Sequence, residues 1–529
     1  MRRYVIFLLL LLGVGRAEAQ ISRMRAEYEQ FVQKHRQEYN DFVSRANAEF
    51  ADFLKQSWSS YQSKAAEEAP IPDVMPTAPV APVEEQTTPR PASVEPTRKP
   101  QPVPFPETPA PRPAPVEPTR KPQPVPFPEA PAPHPAPNTA PNPAPQPVAP
   151  APQPVQSRPS YRGVVCEVDF FGEQLTFSCD KRTMPRLGGV DEGGFSAIWQ
   201  AFGRGTESVV KEMDDYIESR YLNGWGCYQL VKKFSEAVYE ERLSNERISL
   251  QAYLLSQLKY RAQVALSGDV LVLLLPFKEQ VYSVPYLELE GVRYYIYGYG
   301  HNRSAGYRTY ENTFSYATKQ LSLQMDGRMK IGQVQQVPFE RFSERAGVEV
   351  SAPMRLGNLA LMYYYPIVDN TLYYAQTLDE AFAEAVLSPL RGCVARMDEQ
   401  QAVAWLLDLV QHGFDYVTDD EAFGRQKQLF IEESFFFGRN NCKDRVGVFS
   451  WLVKELVGLP VVGIRYAGNA ASGGVAHITC AVAFRGDVAG DSITHKGRRY
   501  VMCDPTYINA SIGRTMPCYA SSRGGVVEL

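Results

Sequence analysis

Residues 70–158 constrain the chain more than any other stretch, because they hold roughly three quarters of its 43 prolines. Proline has no backbone N–H and a fixed φ, so such a segment can join neither a helix interior nor a sheet ladder. It samples polyproline II instead. The run "VEPTRKPQPVPFPE" occurs at 94–107 and again at 116–129. At about 3.1 Å per residue the segment has a contour on the order of 250 Å and reads as a semi-rigid tether. A PxxP recognition ligand is the other reading of the same composition. The 529 residues therefore divide into a part before the tether and a part after it.

The part before it opens with "MRRYVIFLLLLLGVGRAEAQ". Two arginines, an apolar run over Tyr4–Val14 and the small-x-small triplet Ala17-Glu18-Ala19 read as a cleavable secretory signal over residues 1–19. The apolar run is about half of the roughly twenty residues a spanning helix needs. The expectation is an exported protein, periplasmic or extracellular. Residues 20–69 then repeat an aromatic pattern every eleven residues: "EYEQFV", "EYNDFV" and "EFADFL". Eleven residues fit three helical turns, so Tyr28, Tyr39, Phe50 and Tyr61, with Phe31, Phe42 and Phe53, line one face of a single long helix of coiled-coil type. Such a stripe must pack on something. Self-association, docking on the chain's own domain, a cell-envelope surface and a partner protein all satisfy it.

After the tether, residues 160–390 mix strand-like runs such as "DVLVLLLPF" with helical patterns such as "GCYQLVKKFSEAVYEERL", an α+β domain. Residues 391–529 form a second domain, opening on the amphipathic "DEQQAVAWLLDLVQHGFDY". A net charge of −4 gives no electrostatic case for nucleic acid. Export permits disulfides, yet eight cysteines are too sparse for a disulfide-built scaffold. There is no CxxC and no paired-histidine spacing, so neither metal nor cofactor is expected.

The chemistry concentrates in "RNNCKDRVGVFSWLVKELVGLPV", residues 439–461. Val446, Phe449, Val453 and Leu456 mark one face of a helix that begins at Cys442, and Gly458 with Pro460 ends it. "AHITCAVAF" and "RRYVMCDPTY" are strands that carry His477 and Asp504. A helix N-terminus and a nearby imidazolium both favour a thiolate. A histidine can then move the proton, and a carboxylate can hold the histidine's tautomer. Adjacent strands would present His477 and Asp504 on one face, with the cysteine helix packed against that face. Cys480 and Cys503 would lie together on the other face, as two thiols or as a disulfide. The N–H of Cys442 is the expected oxyanion donor, with Asn440 and Gln428 as further candidates. Asp444 and Arg445 read as capping and solvating the first turn, and His301, His412 and His495 as surface residues.

These three blocks resemble the transglutaminase-like domain of the papain-like cysteine superfamily, over residues 398–512. The resemblance implies an α+β core with the cysteine helix on an antiparallel sheet, Cys442 as nucleophile, His477 as general base and acid, and Asp504 as orienting carboxylate. One departure is Ile478, where the family usually has an aromatic residue after the histidine. The activity implied is acyl transfer from a peptide or protein substrate. Water as acceptor makes a cysteine-peptidase-like hydrolase, the preferred reading; an amine makes a crosslinking transglutaminase. A catalytically silent binding module is the third reading. The run at 249–270 resembles 448–469 in turn and sets Ser244 near the place of Cys442. The middle domain is then either a degenerate copy without its nucleophile or a second, unrelated helix–strand unit.

Overall fold

The aromatic repeat is used by a helix that stops sooner than its periodicity predicts. The computed structural model describes residues 30, 33–34, 37–38, 40–70, 74–82, 164–299 and 306–529. The signal-like segment, Tyr28, Phe31 and Tyr39, most of the proline tether and His301 lie outside them. Helix α1, described over residues 40–54, ends where Trp58 turns back and its indole N–H donates to the Leu54 carbonyl (3.2 Å). The next residues, Ser59–Tyr61, form strand β1. Tyr61 is therefore a strand residue, and the expected helix over 20–69 is corrected: a side-chain cap and edge pairing outweigh the eleven-residue rhythm.

Described residues fall into two units, one with those up to Glu68 and from 164 to Gln333, the other with 69–82 and Val334–Leu529. The boundary expected at 390/391 is thus displaced to 333/334. The first unit holds the hairpin β2 (Cys166–Phe170) and β3 (Glu173–Phe177). Helices α2 (Glu192–Phe202), α3 (Glu207–Arg220), α4 (Gly224–Val238) and α5 (Ser244–Gln257) follow. Then come β4 (Gln263–Ser267), β5 (Val270–Leu275), β6 (Tyr286–Leu289), β7 (Val292–Tyr297) and β8 (Tyr307–Thr309). β1 adds to the edge at β8 by antiparallel pairing, Ser59 opposite Thr309 and Tyr61 opposite Tyr307. The stripe of α1 is covered inside this unit. Phe50 is buried against Trp199 (ring centroids 5.0 Å) and Phe314 (5.4 Å), and Trp58 packs on Tyr310 (5.2 Å). Phe42 stays 41% exposed.

In the second unit, β9 (Val334–Pro338) pairs with β10 (Ser351–Arg355) around α6 (Glu340–Ala346). Next come α7 (Leu356–Tyr363), α8 (Asn370–Tyr374), α9 (Glu380–Val394) and α10 (Glu399–His412). The short strand β11 (Asp415–Tyr416) pairs in parallel with β12 (Arg439–Asn440). Between them lie α11 (Asp419–Phe423) and α12 (Ile431–Phe437). Helix α13 (Cys442–Val457) begins at the cysteine and ends at Gly458, whose φ of 71° suits a left-handed cap. Five strands complete the unit: β13 (Val461–Tyr466), β14 (His477–Val482), β15 (Ser492–His495), β16 (Arg498–Cys503) and β17 (Gly525–Glu528).

The two sheets share one plan. The first runs β8-β4-β5-β7-β6, with β1 added at the β8 edge, and the second β17-β13-β14-β16-β15. Numbering the five strands after α5 and after α13 from one to five gives the order 5-1-2-4-3 twice, all antiparallel. The pairs Leu273–Tyr297, Leu274–Ile296 and Leu275–Tyr295 stand where Cys480–Cys503, Ala481–Met502 and Val482–Val501 stand in the second sheet. Counting along the strands then sets Val270 at the place of His477 and Gly298 at that of Asp504, while Ser244 and Cys442 are each the first residue of the helix before the sheet.

Residues 74–82 also depart from expectation. Instead of forming the start of a free tether, they dock within the second unit. The Ala81 N–H donates to the Ile508 carbonyl and the Ile508 N–H to the Pro79 carbonyl, both at 2.8 Å. Ala81 is buried in the cluster of Val462, Ile464, Tyr507 and Tyr519.

Candidate functional site

Reciprocal capping fixes the first turn of α13. The Asn441 side chain accepts from the Lys443 N–H (3.3 Å), and Asp444 Oδ2 accepts from the Asn441 N–H (3.0 Å). The other Asp444 oxygen takes the Leu429 N–H at 2.8 Å. Cys442 is the first helical residue, where unpaired N–H groups and the helix dipole favour negative charge.

The turn is capped but not solvated, which corrects the sequence reading of Asp444 and Arg445. Burial pushes the Asp444 carboxyl up to about 7, with Lys443 opposing and Asp419 adding to the rise. Arg445 is 0% exposed. Its guanidinium donates to Asn440 Oδ1 (2.8 Å) and to the carbonyls of Phe414 (2.9 Å), Gln411 (3.2 Å) and Pro505 (3.4 Å). Burial lowers it to about 10, and it stays a cation. It ties the strand end that bears Asp504 to the helix that bears Cys442. Lys443 is buried too and pairs with Asp419.

His477 and Asp504 meet. Nε2 of the imidazole lies 2.9 Å from Asp504 Oδ2. An ionised carboxylate only accepts, so the ring carries a proton at Nε2 toward Asp504. Asp504 is aimed by two amides, Thr506 N–H (2.9 Å) and Tyr507 N–H (3.2 Å), both on Oδ1. Burial alone would push the imidazole down. The charge and hydrogen bond of Asp504 reverse this, and hydrogen bonding and charge from Cys442 add to them, raising it to about 10. Near neutral pH the ring is therefore an imidazolium, hydrogen-bonded to Asp504 and to Cys442. Cys442, His477 and Asp504 are 1%, 2% and 2% exposed.

The helix does not cover the face expected of it. Its body lies over the Cys480 face, where the Cys480 thiol donates to the Val446 carbonyl (3.8 Å). The alternate residue Ala481 belongs to the opposite cluster with Met502 and Tyr519. The His477 ring stacks on Tyr519 (centroids 5.4 Å, 16°) on that second side. Only the tip of the helix, bearing Cys442, reaches the histidine. Cys480 and Cys503 are direct cross-strand partners, buried, and both are free thiols, as are the other six cysteines.

The amide of Asn440 is oriented by Arg445 and that of Gln428 by Asn370, whose Nδ2 donates to Gln428 Oε1 (2.6 Å). Each leaves a buried NH2 group without a partner. Sequence reasoning missed Tyr374 and Tyr416. The Tyr374 hydroxyl donates to the Lys443 carbonyl (2.9 Å), and Tyr416 pairs with Asn440 in β11–β12. Burial first, and the charge of Cys442 next, raise both phenols. A tyrosine in a two-residue strand leaves no periodic signal in the sequence. His412 and His495 are partly exposed, and each has polar partners. His412 sits between the Asp408 carbonyl (3.0 Å) and Asn509 Oδ1 (3.1 Å), and His495 pairs with Glu528 (2.9 Å).

Among the described residues no three His, Cys, Asp or Glu side chains are grouped to hold a metal ion, and no helix is long and apolar enough to cross a membrane. Comparison with known protein families, curated proteins and solved structures returns no match for this chain.

Proposed function

We propose that the second unit is a thiol acyl-transfer enzyme, transglutaminase-like in plan, that hydrolyses amide bonds of proteins or cell-wall peptides outside the cytoplasm after removal of residues 1–19. One observation carries the reading: an imidazole bound to Asp504 on one nitrogen and raised in the same direction by the Cys442 thiol, which stands at a capped helix start.

With the Cys442 proton already held on His477 as an imidazolium, the Cys442 sulfur adds as a thiolate to the substrate carbonyl carbon. Charge on the carbonyl oxygen is met by N–H donors at the helix start, with the buried NH2 groups of Asn440 and Gln428 as further side-chain donors. The imidazolium returns its proton to the leaving amine as the C–N bond breaks, leaving a thioester on Cys442. The neutral ring then takes a proton from water, the hydroxide displaces the thiolate, and a carboxylic acid leaves. An amine in place of water yields a crosslink by the same steps. The first unit, with Ser244, Val270 and Gly298 at the equivalent positions, serves as a non-catalytic support or substrate-binding copy.

The test compares wild type with Cys442→Ala on a peptide library, with and without a labelled primary amine. Loss of product by about 10³-fold or more is expected. Free acids mark the hydrolase and labelled adducts the transferase. Unchanged products would end the enzyme reading.

A further inference from the structure

Every group of the site is buried, yet a substrate carbonyl has to reach Cys442. What lies beside the site is the chain's own segment 74–82, "VMPTAPVAP". The Tyr416 hydroxyl donates to the Met75 carbonyl at 2.7 Å. Tyr416 is the strand partner of Asn440, two residues before Cys442, and the cysteine's charge acts on it. At the other end Val80 forms a parallel bridge with Ile508, four residues beyond Asp504. The segment therefore spans from the cysteine side of the site to the aspartate side. Ala81 and Met75 both pack on the cluster containing Tyr519, the ring on which His477 stacks.

The segment is held by backbone hydrogen bonds to Ile508, an isolated parallel bridge outside the strands of the sheet. Pro79 supplies a carbonyl and Ala81 an N–H, the two residues flanking Val80, so the backbone is recognised at alternate positions. Pro76, Pro79 and Pro82 have no N–H to satisfy, and none is needed for these bonds. Ala81 is 2% exposed, in a slot walled by Tyr507, Tyr519 and neighbours. A larger residue would displace them.

We propose that the groove between Tyr416 and Ile508 is the peptide-binding groove of the Cys442 site. It takes an extended strand with a small residue in the Ala81 slot and prolines tolerated on either side, and residues 74–82 fill it as a built-in plug. This inference rests on the enzyme reading for the role of the groove, and deepens it by naming the substrate class. Displacement of the plug opens the site to a peptide of the same kind. Pro79-Val80-Ala81-Pro82 recurs in the sequence as Pro147-Val148-Ala149-Pro150, which supplies a second probe.

The test uses the full chain and the rate at which iodoacetamide alkylates Cys442, read by mass spectrometry. Ala81→Asp and Ala81→Pro, the first placing a charge in the slot and the second removing the bridging N–H, each raise that rate about tenfold or more. A peptide of residues 74–82, or of 145–153, added to either variant restores the slow rate. Circular dichroism shows that the fold persists. As a check independent of both variants, the Ala81 and Ile508 amides of the wild-type chain exchange with solvent more slowly than exposed amides. Wild-type alkylation rates in both variants, or no protection by either peptide, would overturn the proposal. Alkylation needs no turnover, so the two readings fail separately. Faster labelling without product sinks the enzyme and keeps the plug; product with unchanged labelling does the reverse.

Discussion

The two units lay a helix and five strands out in the same order, and they differ at the three positions that matter for the proposed chemistry. Ser244, Val270 and Gly298 stand where Cys442, His477 and Asp504 stand. The shared scaffold extends into the helix start. "SNER" (244–247) faces "CKDR" (442–445). In both, the third residue is a buried acid that accepts a backbone N–H: Glu246 from Leu187 (3.3 Å), Asp444 from Leu429 (2.8 Å). In both, the fourth is a buried arginine donating to backbone carbonyls, Arg247 to Tyr239 and Arg445 to three carbonyls. What persists across the two units is the machinery that holds the helix tip; what differs is the chemistry mounted on it. On the proposed function, holding a helix start in place and activating a thiol are separable tasks.

The sharpest break in the comparison comes from the histidine. His477→Ala lowers product formation by about 10³-fold or more, since triad members act as a unit, whereas Val270→Ala in the first unit leaves the rate within about twofold. Steady-state kinetics on a peptide found in the library screen measures both. Equal losses would mean that the two positions do the same structural job.

Asp504→Asn sharpens the same contrast through pH. In the wild type the imidazole titrates near 10, above its ordinary value near 6.5. A raised pKa stabilises the folded form fully below about 6.5, and that contribution fades as pH rises through about 10. Without the carboxylate, burial is opposed only by the hydrogen bond and charge of Cys442, so the ring's pKa drops well below its wild-type value. Activity drops about 10²- to 10⁴-fold. Histidine NMR against pH reads the shift; an imidazole still titrating near 10 in the variant would contradict the assignment of cause.

The smallest effects concern stability. Arg445→Met strands Asn440 Oδ1 and three carbonyls and costs about 3 kcal/mol, against about 1–2 kcal/mol for Arg247→Met, which serves one carbonyl. Urea titration of each variant measures the difference. Equal losses would show that Arg445 does no more for its unit than Arg247 does.

The sequence made the helix from Cys442 to Gly458 legible because its apolar residues follow the 3.6-residue period and a glycine with a nearby proline closes it. The strand neighbourhood of His477 and Asp504 was legible too, from alternation: Cys480 and Cys503 are opposite each other in register. What could not be read was set by contacts far apart in the chain. The covered face of the sheet depends on where α13 lands. The burial of Arg445 depends on carbonyls from Gln411 to Pro505. The end of α1 depends on β8, some 250 residues away. The docking of 74–82 was hidden by its composition, since proline argues against a ladder and only one bridge was needed.

On the proposed function, the site, and not the shared fold, activates Cys442. This is tested most directly by placing a thiol at the equivalent position of the other unit. In a Ser244→Cys chain that also carries Ala81→Asp, at pH 7, the alkylation rate of every cysteine is followed by mass spectrometry. Residue 244 is the more exposed of the two, yet Cys442 should react about tenfold faster than the new thiol and than the seven others, and lose that lead when His477→Ala is added. Equal rates at 244 and 442, or a lead that survives loss of the histidine, would contradict it.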